Sequence, residues 1–142
     1  MKRINSTHIS FLTILLILIL NIGCSNRENN KLVNLDNLMS TEKFNELTVC
    51  ECNEQANIIL DNSTDIRNNF KSLDHLKKNN ESMSNIKLLS KRWTTLLNSC
   101  FRKHGAEMWM PSDCNDLVLI EEKKLFLYNL GIQIDRGENI KL

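Results

Sequence analysis

Two stretches of the chain repeat apolar residues at alternating spacings of three and four, and this pattern constrains the fold more than any other feature. The first stretch runs from Val49 to Leu73 and the second from Ile86 to Cys100. Because an α-helix turns once every 3.6 residues, such spacing places the apolar side chains on one helical face. The sequence therefore predicts two long helices that pack as an antiparallel hairpin around a polar turn at residues 77–82.

Local signals set the expected ends of these two helices. Ser40 or Thr41 can cap the first helix at its N-terminus, and residues 61–64 are a poor helix interior that predicts a kink or break. The second helix is expected over residues 84–104, with Gly105 as its C-terminal stop.

A third helix is expected after the loop at residues 105–111. Ser112 or Asp113 can cap it and Gly131 can end it. A competing interpretation makes residues 117–120 and 125–128 two strands, but the charged residues between them suit a tight turn poorly, so a helix is favoured. Residues 132–142 are expected to form a tail with a small hairpin about Gly137. The predicted inward stripe of the third helix is Cys114, Val118, Leu125, Tyr128 and Ile132.

The low content of turn residues agrees with a helical fold. The chain has four glycines and one proline, which are few for a β-sandwich or barrel. The expected fold class is all-α: a small antiparallel helical hairpin plus a third helix, forming one domain over residues 40–142. A helix that packs on one other helix through a single apolar stripe forms only a small core. Cross-links would therefore add a few kcal/mol of stability.

The N-terminal segment has the pattern of an export signal. Lys2 and Arg3 precede a largely apolar segment, residues 9–22, which as a helix is about 21 Å long and too short for the ~30 Å hydrocarbon core of a membrane. Residues 22–24, Ile-Gly-Cys, then resemble the lipobox of bacterial lipoproteins. One position departs from that pattern, because Asn21 stands where leucine is usual.

The resemblance to lipoproteins implies a location in the bacterial cell envelope. Residues 1–23 would be removed as a signal peptide, Cys24 would be lipidated with two acyl chains that form a stable anchor, and residues 24–39 would be a flexible tether. The second residue of the processed chain would be Ser25 and not aspartate, and by the sorting rule for lipoproteins this implies the outer membrane. Four apolar residues at the end of the tether are expected to dock on the domain: Leu32, Val33, Leu35 and Leu38.

The charge of the processed chain argues against a nucleic-acid partner. Lys2 and Arg3 leave with the leader, so 16 of the 18 basic residues remain beside 17 acidic ones. Such a balanced chain has no excess positive charge to neutralise phosphates.

Four cysteines remain besides Cys24, and they predict disulfides: Cys50, Cys52, Cys100 and Cys114. An even number in a small exported domain is typical of a disulfide framework. Cys50 and Cys52 lie about 200° apart around a helix, so they cannot face one partner if both are helical, which favours a helix that begins after Cys50. Closure between Cys50 and Cys52 would be strained. We therefore expect each of them to reach Cys100 or Cys114, in an order that the spacing leaves open.

The same side chains allow metal binding as an alternative. Cys100 and His104 are four residues apart and share a helical face. Together with Cys50, Cys52 and Cys114 they would supply ligands for zinc or copper(I). The spacing matches no standard zinc pattern, so the first expectation includes no cofactor.

The sequence carries no recognised catalytic motif, and we expect no enzyme. Nucleophile-elbow, zinc-protease, P-loop and dinucleotide patterns do not occur. The best candidate for a contact patch is Met108, Trp109 and Met110, because exposed methionine and aromatic clusters mark binding surfaces, although these residues could instead pack over the open end of the hairpin. The Cys-x-Cys before a helical hairpin resembles small exported bacterial proteins of uncharacterised activity.

These observations predict a lipid-anchored, non-catalytic interaction module of the envelope. An immunity protein or an inhibitor would be a module of this type. Its expected partners are the membrane, through the anchor, and another envelope or exported protein.

Overall fold

The computed structural model describes residue 35 and residues 38–139. In chain order the α-helices are α1 (Val49–Asn68), α2 (Leu73–Lys78), α3 (Asn80–His104) and α4 (Leu117–Asn129). Short 3-10 helices span Thr41–Asn45, Gly105–Trp109 and Ile134–Asn139. This part of the chain contains no strand, so the all-α prediction is confirmed. The predicted signal peptide, Cys24 and most of the tether lie outside the described residues.

The two predicted stripes form the interface between α1 and α3. A disulfide joins Cys52 near the start of α1 to Cys100 near the end of α3, so the two helices run antiparallel as expected. The buried stripe of α1 comprises Cys52, Ala56, Ile59, Ser63 and Ile66. The buried stripe of α3 comprises Ile86, Leu89, Trp93, Leu96 and Cys100. The antiparallel hairpin is therefore confirmed, but the polar turn predicted at residues 77–82 is wrong, because those residues are helical except for Asn79.

The predicted break within the first helix is wrong in its position. Residues 61–64 are helical, and two of their polar side chains bond to carbonyls one turn earlier: Ser63 Oγ donates to the Ile59 carbonyl at 2.8 Å, and Asn62 Nδ2 donates to the Ile58 carbonyl at 2.8 Å. The chain leaves α1 only after Asn68. A separate short helix, α2, then begins behind Ser72, whose Oγ accepts from the His75 N–H at 3.3 Å.

The start of α1 also differs from the prediction. Ser40 caps only the first 3-10 helix, whereas Thr48 caps α1 through a reciprocal capping box. The Glu51 N–H donates to Thr48 Oγ1 at 3.3 Å, and the Thr48 N–H donates to Glu51 Oε2 at 2.7 Å. The helix therefore begins at Val49 and contains Cys50, so the expectation that it begins after Cys50 is wrong.

The start of α3 differs from the prediction, and its end agrees with it. Asn79 Oδ1 accepts from the Ser82 N–H at 2.9 Å, so α3 begins at Asn80, earlier than the predicted residue 84. Gly105 ends the helix with a φ of 57°, as predicted.

Helix α4 confirms the helical interpretation of residues 117–129 but begins later than expected. Asp116 is the cap, since its Oδ1 accepts from the Leu119 N–H at 2.9 Å. The predicted caps, Ser112 and Asp113, lie in the preceding loop, where Ser112 and Asn115 form an isolated bridge.

The C-terminal end of α4 is a Schellman turn, which confirms Gly131 as the stop. Gly131 has a φ of 89° and its N–H donates to the Tyr128 carbonyl at 2.9 Å. The Ile132 N–H donates to the Leu127 carbonyl, also at 2.9 Å.

The segments at both ends of the described chain pack on the hairpin. Leu35 and Leu38 contact the core, which confirms their predicted docking; Leu32 and Val33 lie outside the described residues. The predicted hairpin about Gly137 is wrong: the segment is a 3-10 helix. Ser90 Oγ on α3 holds it through the Ile134 carbonyl at 2.6 Å and the Gly137 carbonyl at 2.9 Å.

Arg92 connects the N-terminal segment to α3. Its guanidinium lies 5.3 Å from the centre of the Phe44 ring and Nη2 donates to the Met39 carbonyl. Burial lowers the pKa of Arg92 below its ordinary value. Among the described residues, no helix is both long enough and apolar enough to cross a membrane.

Candidate binding surface

The four cysteines form two disulfides that leave α1 in different directions. Cys52 is buried and pairs with Cys100 across the hairpin, with 6.3 Å between the Cα atoms. Cys50 is exposed and pairs with Cys114 in the loop before α4, with 5.1 Å between the Cα atoms. This is one of the two bridging arrangements that the sequence left open, and the large angle between Cys50 and Cys52 is what separates their partners.

A buried amide holds the loop between α3 and α4. Asn115 is only 3% exposed; its Nδ2 donates to the Met108 and Met110 carbonyls at 3.0 Å each, and its Oδ1 accepts from Asn53 Nδ2 at 3.1 Å. Cys50 and Asn53 lie three residues apart on α1, so the disulfide and the amide tie the loop to the same helical edge. Sequence reasoning missed Asn53 and Asn115, because asparagine is abundant throughout the chain and their spacing marks no motif.

The predicted contact patch is divided between the core and the surface. Met108 is 8% exposed and belongs to the core, whereas Trp109 is 56% and Met110 65% exposed. The two carbonyl groups that Asn115 holds flank Trp109 in the chain. The loop is therefore fixed in a shape that presents Trp109 to solvent.

Helix α4 carries apolar side chains on its outer face as well as on its inner one. Ile120 and Leu127 are buried. Of the stripe predicted to face inward, Ile132 is buried as expected. Val118, Leu125 and Tyr128 are more than half exposed, so the prediction is wrong for these three residues. The exposed large apolar residues of α4, here called the α4 surface, are Val118, Leu119, Leu125, Phe126 and Tyr128.

Two lysines of α4 form ion pairs. Lys123 Nζ lies 2.7 Å from Asp61 Oδ1 on α1, and Lys124 Nζ lies 2.8 Å from Glu121 Oε1 within α4. With apolar residues all round the helix, the hydrophobic pattern alone does not define a single inward face.

Two recesses that are open to solvent lie beside α4. The first is lined by Cys52 and Ala56 of α1, Trp93, Leu96 and Leu97 of α3, and Trp109 and Leu117, among others. The second is lined by Leu125, Tyr128, Ile132, Ile134 and Asp135, among others. Glu121 and Lys124 line both recesses, so their ion pair marks the boundary.

Trp93 lines the first recess, but its indole nitrogen is itself buried and lacks a partner in the described part of the chain. Trp93 is 2% exposed, and its indole Nε1–H finds no acceptor among the described residues. A buried N–H without an acceptor is energetically unfavourable.

The segment from Gly105 to Asp135 is acidic, and basic residues flank it on both sides: Arg102 and Lys103 before it and Arg136 after it. From Gly105 to Asp135 the chain carries two basic residues, Lys123 and Lys124, and both are in ion pairs. The same segment carries six acidic residues, a formal excess of four negative charges. These acidic residues are all exposed, and they are Glu107, Asp113, Asp116, Glu121, Glu122 and Asp135.

The residues of the metal alternative have other partners in the structure. All four cysteines are oxidised in disulfides, and His104 Nε2 donates to the Leu47 carbonyl at 2.8 Å. Lys103 Nζ donates to the same carbonyl at 2.9 Å. In the part of the chain that the structure describes, no three histidine, cysteine or acidic side chains are grouped to hold a metal ion.

No family model, curated protein or solved structure matches this chain.

Proposed function

We propose that the protein is a lipid-anchored envelope protein that acts as a non-catalytic interaction module and binds another exported or envelope protein through the α4 surface. The observation that carries this proposal is the outward apolar face of α4, where Val118 is 70%, Leu125 61% and Tyr128 57% exposed. Contiguous exposed apolar patches on small domains mark interaction sites.

The rigid attachment of this region supports the same function. The Cys50–Cys114 disulfide and the Asn53–Asn115 hydrogen bond fix the loop that leads into α4. A surface that is already ordered loses little conformational entropy when a partner binds, so more of the contact energy appears as affinity. An immunity or inhibitor protein needs such a surface and no chemistry of its own.

Site-specific photocrosslinking in living cells tests the interaction. A photoreactive amino acid at position 125 should form a discrete adduct with a partner protein. The same amino acid at position 88 is the control, because Leu88 is 44% exposed and lines neither recess. Equal labelling at both positions, or none at position 125, would argue against the proposed function.

The lipid anchor is tested by changing its acceptor. Cys24→Ala should prevent incorporation of labelled palmitate and release the protein from the membrane fraction, since the acyl chains supply the attachment. Persistent membrane association and labelling in this variant would contradict the proposed anchor.

Intact mass distinguishes the interaction module from the metal alternative. Protein that is denatured with an alkylating reagent and no reductant should take up no label and weigh four hydrogens less than the reduced chain, because both disulfides are closed. Alkylation of Cys50, Cys52, Cys100 and Cys114 together with a native metal adduct would favour a thiolate site, since metal binding requires the reduced cysteines.

A further inference from the structure

We infer that the Cys50–Cys114 disulfide is a redox switch. A dithiol reductant opens it while Cys52–Cys100 stays closed, and the opening releases the loop that presents Trp109 to solvent. The opening itself is independent of the proposed function, whereas its effect on a partner rests on that function. The arguments are the exposure of the two disulfides, their places in the fold and the groups beside the reacting sulfur atoms.

The two disulfides differ in whether a reductant can reach them. Both residues of the Cys50–Cys114 pair are exposed, whereas Cys52 is 4% and Cys100 0% exposed in the core of the hairpin. Thiol–disulfide exchange requires direct attack of a thiolate on a sulfur atom, so its rate depends on access to that atom, and exposed disulfides are the labile ones. A reductant should therefore open the exposed pair and leave the buried pair closed while the hairpin is folded.

The exposed disulfide fastens the loop before α4 and not the hairpin itself. It joins the first turn of α1 to Cys114. When it opens, the α1–α3 interface keeps its own cross-link and its buried stripes. The loop keeps the hydrogen bonds of Asn115 and the buried side chain of Met108. It should therefore open locally while the scaffold stays folded.

The groups beside the two sulfur atoms favour a defined order of exchange. Cys50 lies in the first turn of the 20-residue α1, where the positive end of the helix dipole stabilises a thiolate. Cys50 is therefore the better leaving group, because a sulfur that forms a stable thiolate leaves faster. The thiolate of the reductant should accordingly attack Cys114 first.

The exchange takes two steps and conserves electrons and protons. In the first step a thiolate of the dithiol forms a mixed disulfide with Cys114, the Cys50–Cys114 bond breaks, and Cys50 leaves as a thiolate. In the second step the other thiolate of the reductant attacks the reductant sulfur of the mixed disulfide, and Cys114 leaves. Ser112 Oγ lies 3.5 Å from Cys114 Sγ and can donate to this thiolate. The protein disulfide gains two electrons and two protons, and the dithiol loses them and becomes a disulfide.

Opening of the switch should weaken partner binding without removing the α4 surface. The apolar side chains remain in the chain, but the loop that leads into α4 is no longer tied to α1 at Cys50. A binding surface that must first be ordered loses affinity. The oxidised protein is therefore the form that binds its partner tightly.

Partial reduction of the folded protein tests the selectivity of the switch. The full processed chain in zwitterionic nanodiscs is treated with dithiothreitol, quenched with N-ethylmaleimide at successive times and digested, and mass spectrometry identifies the labelled cysteines. The exposed pair should take up label at least roughly tenfold faster than the buried pair. A thioredoxin variant that lacks its resolving cysteine should be trapped as a mixed disulfide on Cys114.

Two further measurements follow the loop and the partner. In protein with only the exposed disulfide opened, hydrogen exchange should become faster in residues 105–116, while α1 and α3 keep their protection and circular dichroism keeps the helical signal. In living cells, the photocrosslink at position 125 should fall at least roughly fivefold in the Cys50→Ala, Cys114→Ala variant. Ser112→Ala is the matched control, because it changes the same loop and keeps the disulfide.

Several results would overturn the inference. These are equal labelling of the two pairs, loss of the helical signal when the exposed pair opens, unchanged exchange in residues 105–116, or an equal crosslink in the parent and the disulfide variant. A trapped adduct on Cys50 would contradict the order of exchange. If the parent itself forms no crosslink at position 125, the proposed function falls, and labelling and hydrogen exchange alone decide whether the switch stands.

Discussion

The α1–α3 hairpin and α4 use apolar residues in different ways. In the hairpin the apolar stripe faces inward: Ile86 and Leu89 are fully buried and Trp93 nearly so. In α4 the buried positions are Ile120 and Leu127, while five other apolar side chains face solvent. Folding of this chain explains the inward stripe of the hairpin, because the burial of apolar surface drives folding. Folding does not explain the exposed apolar residues of α4, which is why we assign the outer face of α4 to a partner.

The two disulfides are likewise divided between the α1–α3 hairpin and the α4 region. Cys52–Cys100 lies within the hairpin core, whereas Cys50–Cys114 connects the hairpin to the loop that presents Trp109 and leads into α4. One cross-link therefore stabilises the scaffold and the other positions the surface.

Trp93→Ala should have the largest effect on stability. Removing this nearly buried ring leaves a cavity and should lower the free energy of unfolding by about 3–5 kcal/mol. Trp109→Ala is the matched control on the surface and should change it by less than about 0.5 kcal/mol. Urea titration measures both, and equal losses would show that the two tryptophans do not differ in burial.

Removal of the disulfides one at a time should separate scaffold from surface. The Cys52→Ala, Cys100→Ala pair should cost roughly 4 kcal/mol for its 48-residue separation, read from urea unfolding. The Cys50→Ala, Cys114→Ala pair should cost a similar amount by chain entropy. Only the second pair should speed hydrogen exchange in residues 105–116 of the folded protein; equal exchange in both variants would contradict the division of roles.

Asn115→Ala should loosen the presenting loop. The change removes the bonds that Asn115 makes to the Met108 and Met110 carbonyls and the bond that it accepts from Asn53, whose Nδ2 keeps the Asp116 carbonyl. Such losses in a buried site cost about 1–3 kcal/mol. Asn129→Ala, at the exposed end of α4, is the control and should change the melting temperature little. A melting temperature for Asn115→Ala equal to that of the control would exclude a structural role for the amide.

The capping box of α1 should make stability depend on acidic pH. Hydrogen bonds from the Thr48 backbone and then its hydroxyl lower the pKa of Glu51 below its ordinary value. A carboxyl whose folded pKa is lowered stabilises the fold above its ordinary pKa, and this contribution is lost as the pH falls through the folded pKa. Glu51→Gln should therefore flatten the acid side of the stability curve relative to the parent, and parallel curves for the two proteins would contradict the assignment.

The fold could be predicted from the sequence where one helical face is clearly polar. Residues such as Ile59 and Leu89 recur on stripes bordered by charged residues, so the hairpin follows from spacing alone. The break after Asn68 could not be placed in this way, because the weakest helix formers of the stretch, residues 61–64, lie before it and are helical.

The candidate site was predictable only in part. Trp109 and Met110 stand out as a cluster of contact residues, but Asn115, which holds their loop, carries no sequence signal. In α4, Val118 and Leu125 are as apolar as Ile120 and Leu127, so the inward face depends on docking against α1. The order of the disulfides likewise depends on which element each face of α1 meets, and local spacing does not contain that information.

Hydroxyl-radical footprinting tests the contrast between hairpin and α4 most directly. The chain supplies matched pairs of rings, since Phe126 is 48% exposed against 0% for Phe44, and Trp109 is 56% exposed against 2% for Trp93. In the oxidised, folded protein, Phe126 and Trp109 should be modified quickly and Phe44 and Trp93 should be protected. Protection of Phe126 and Trp109 to the level of their buried counterparts in the isolated monomer would mean that the fold itself covers the outer face of α4, and would contradict its assignment to a partner.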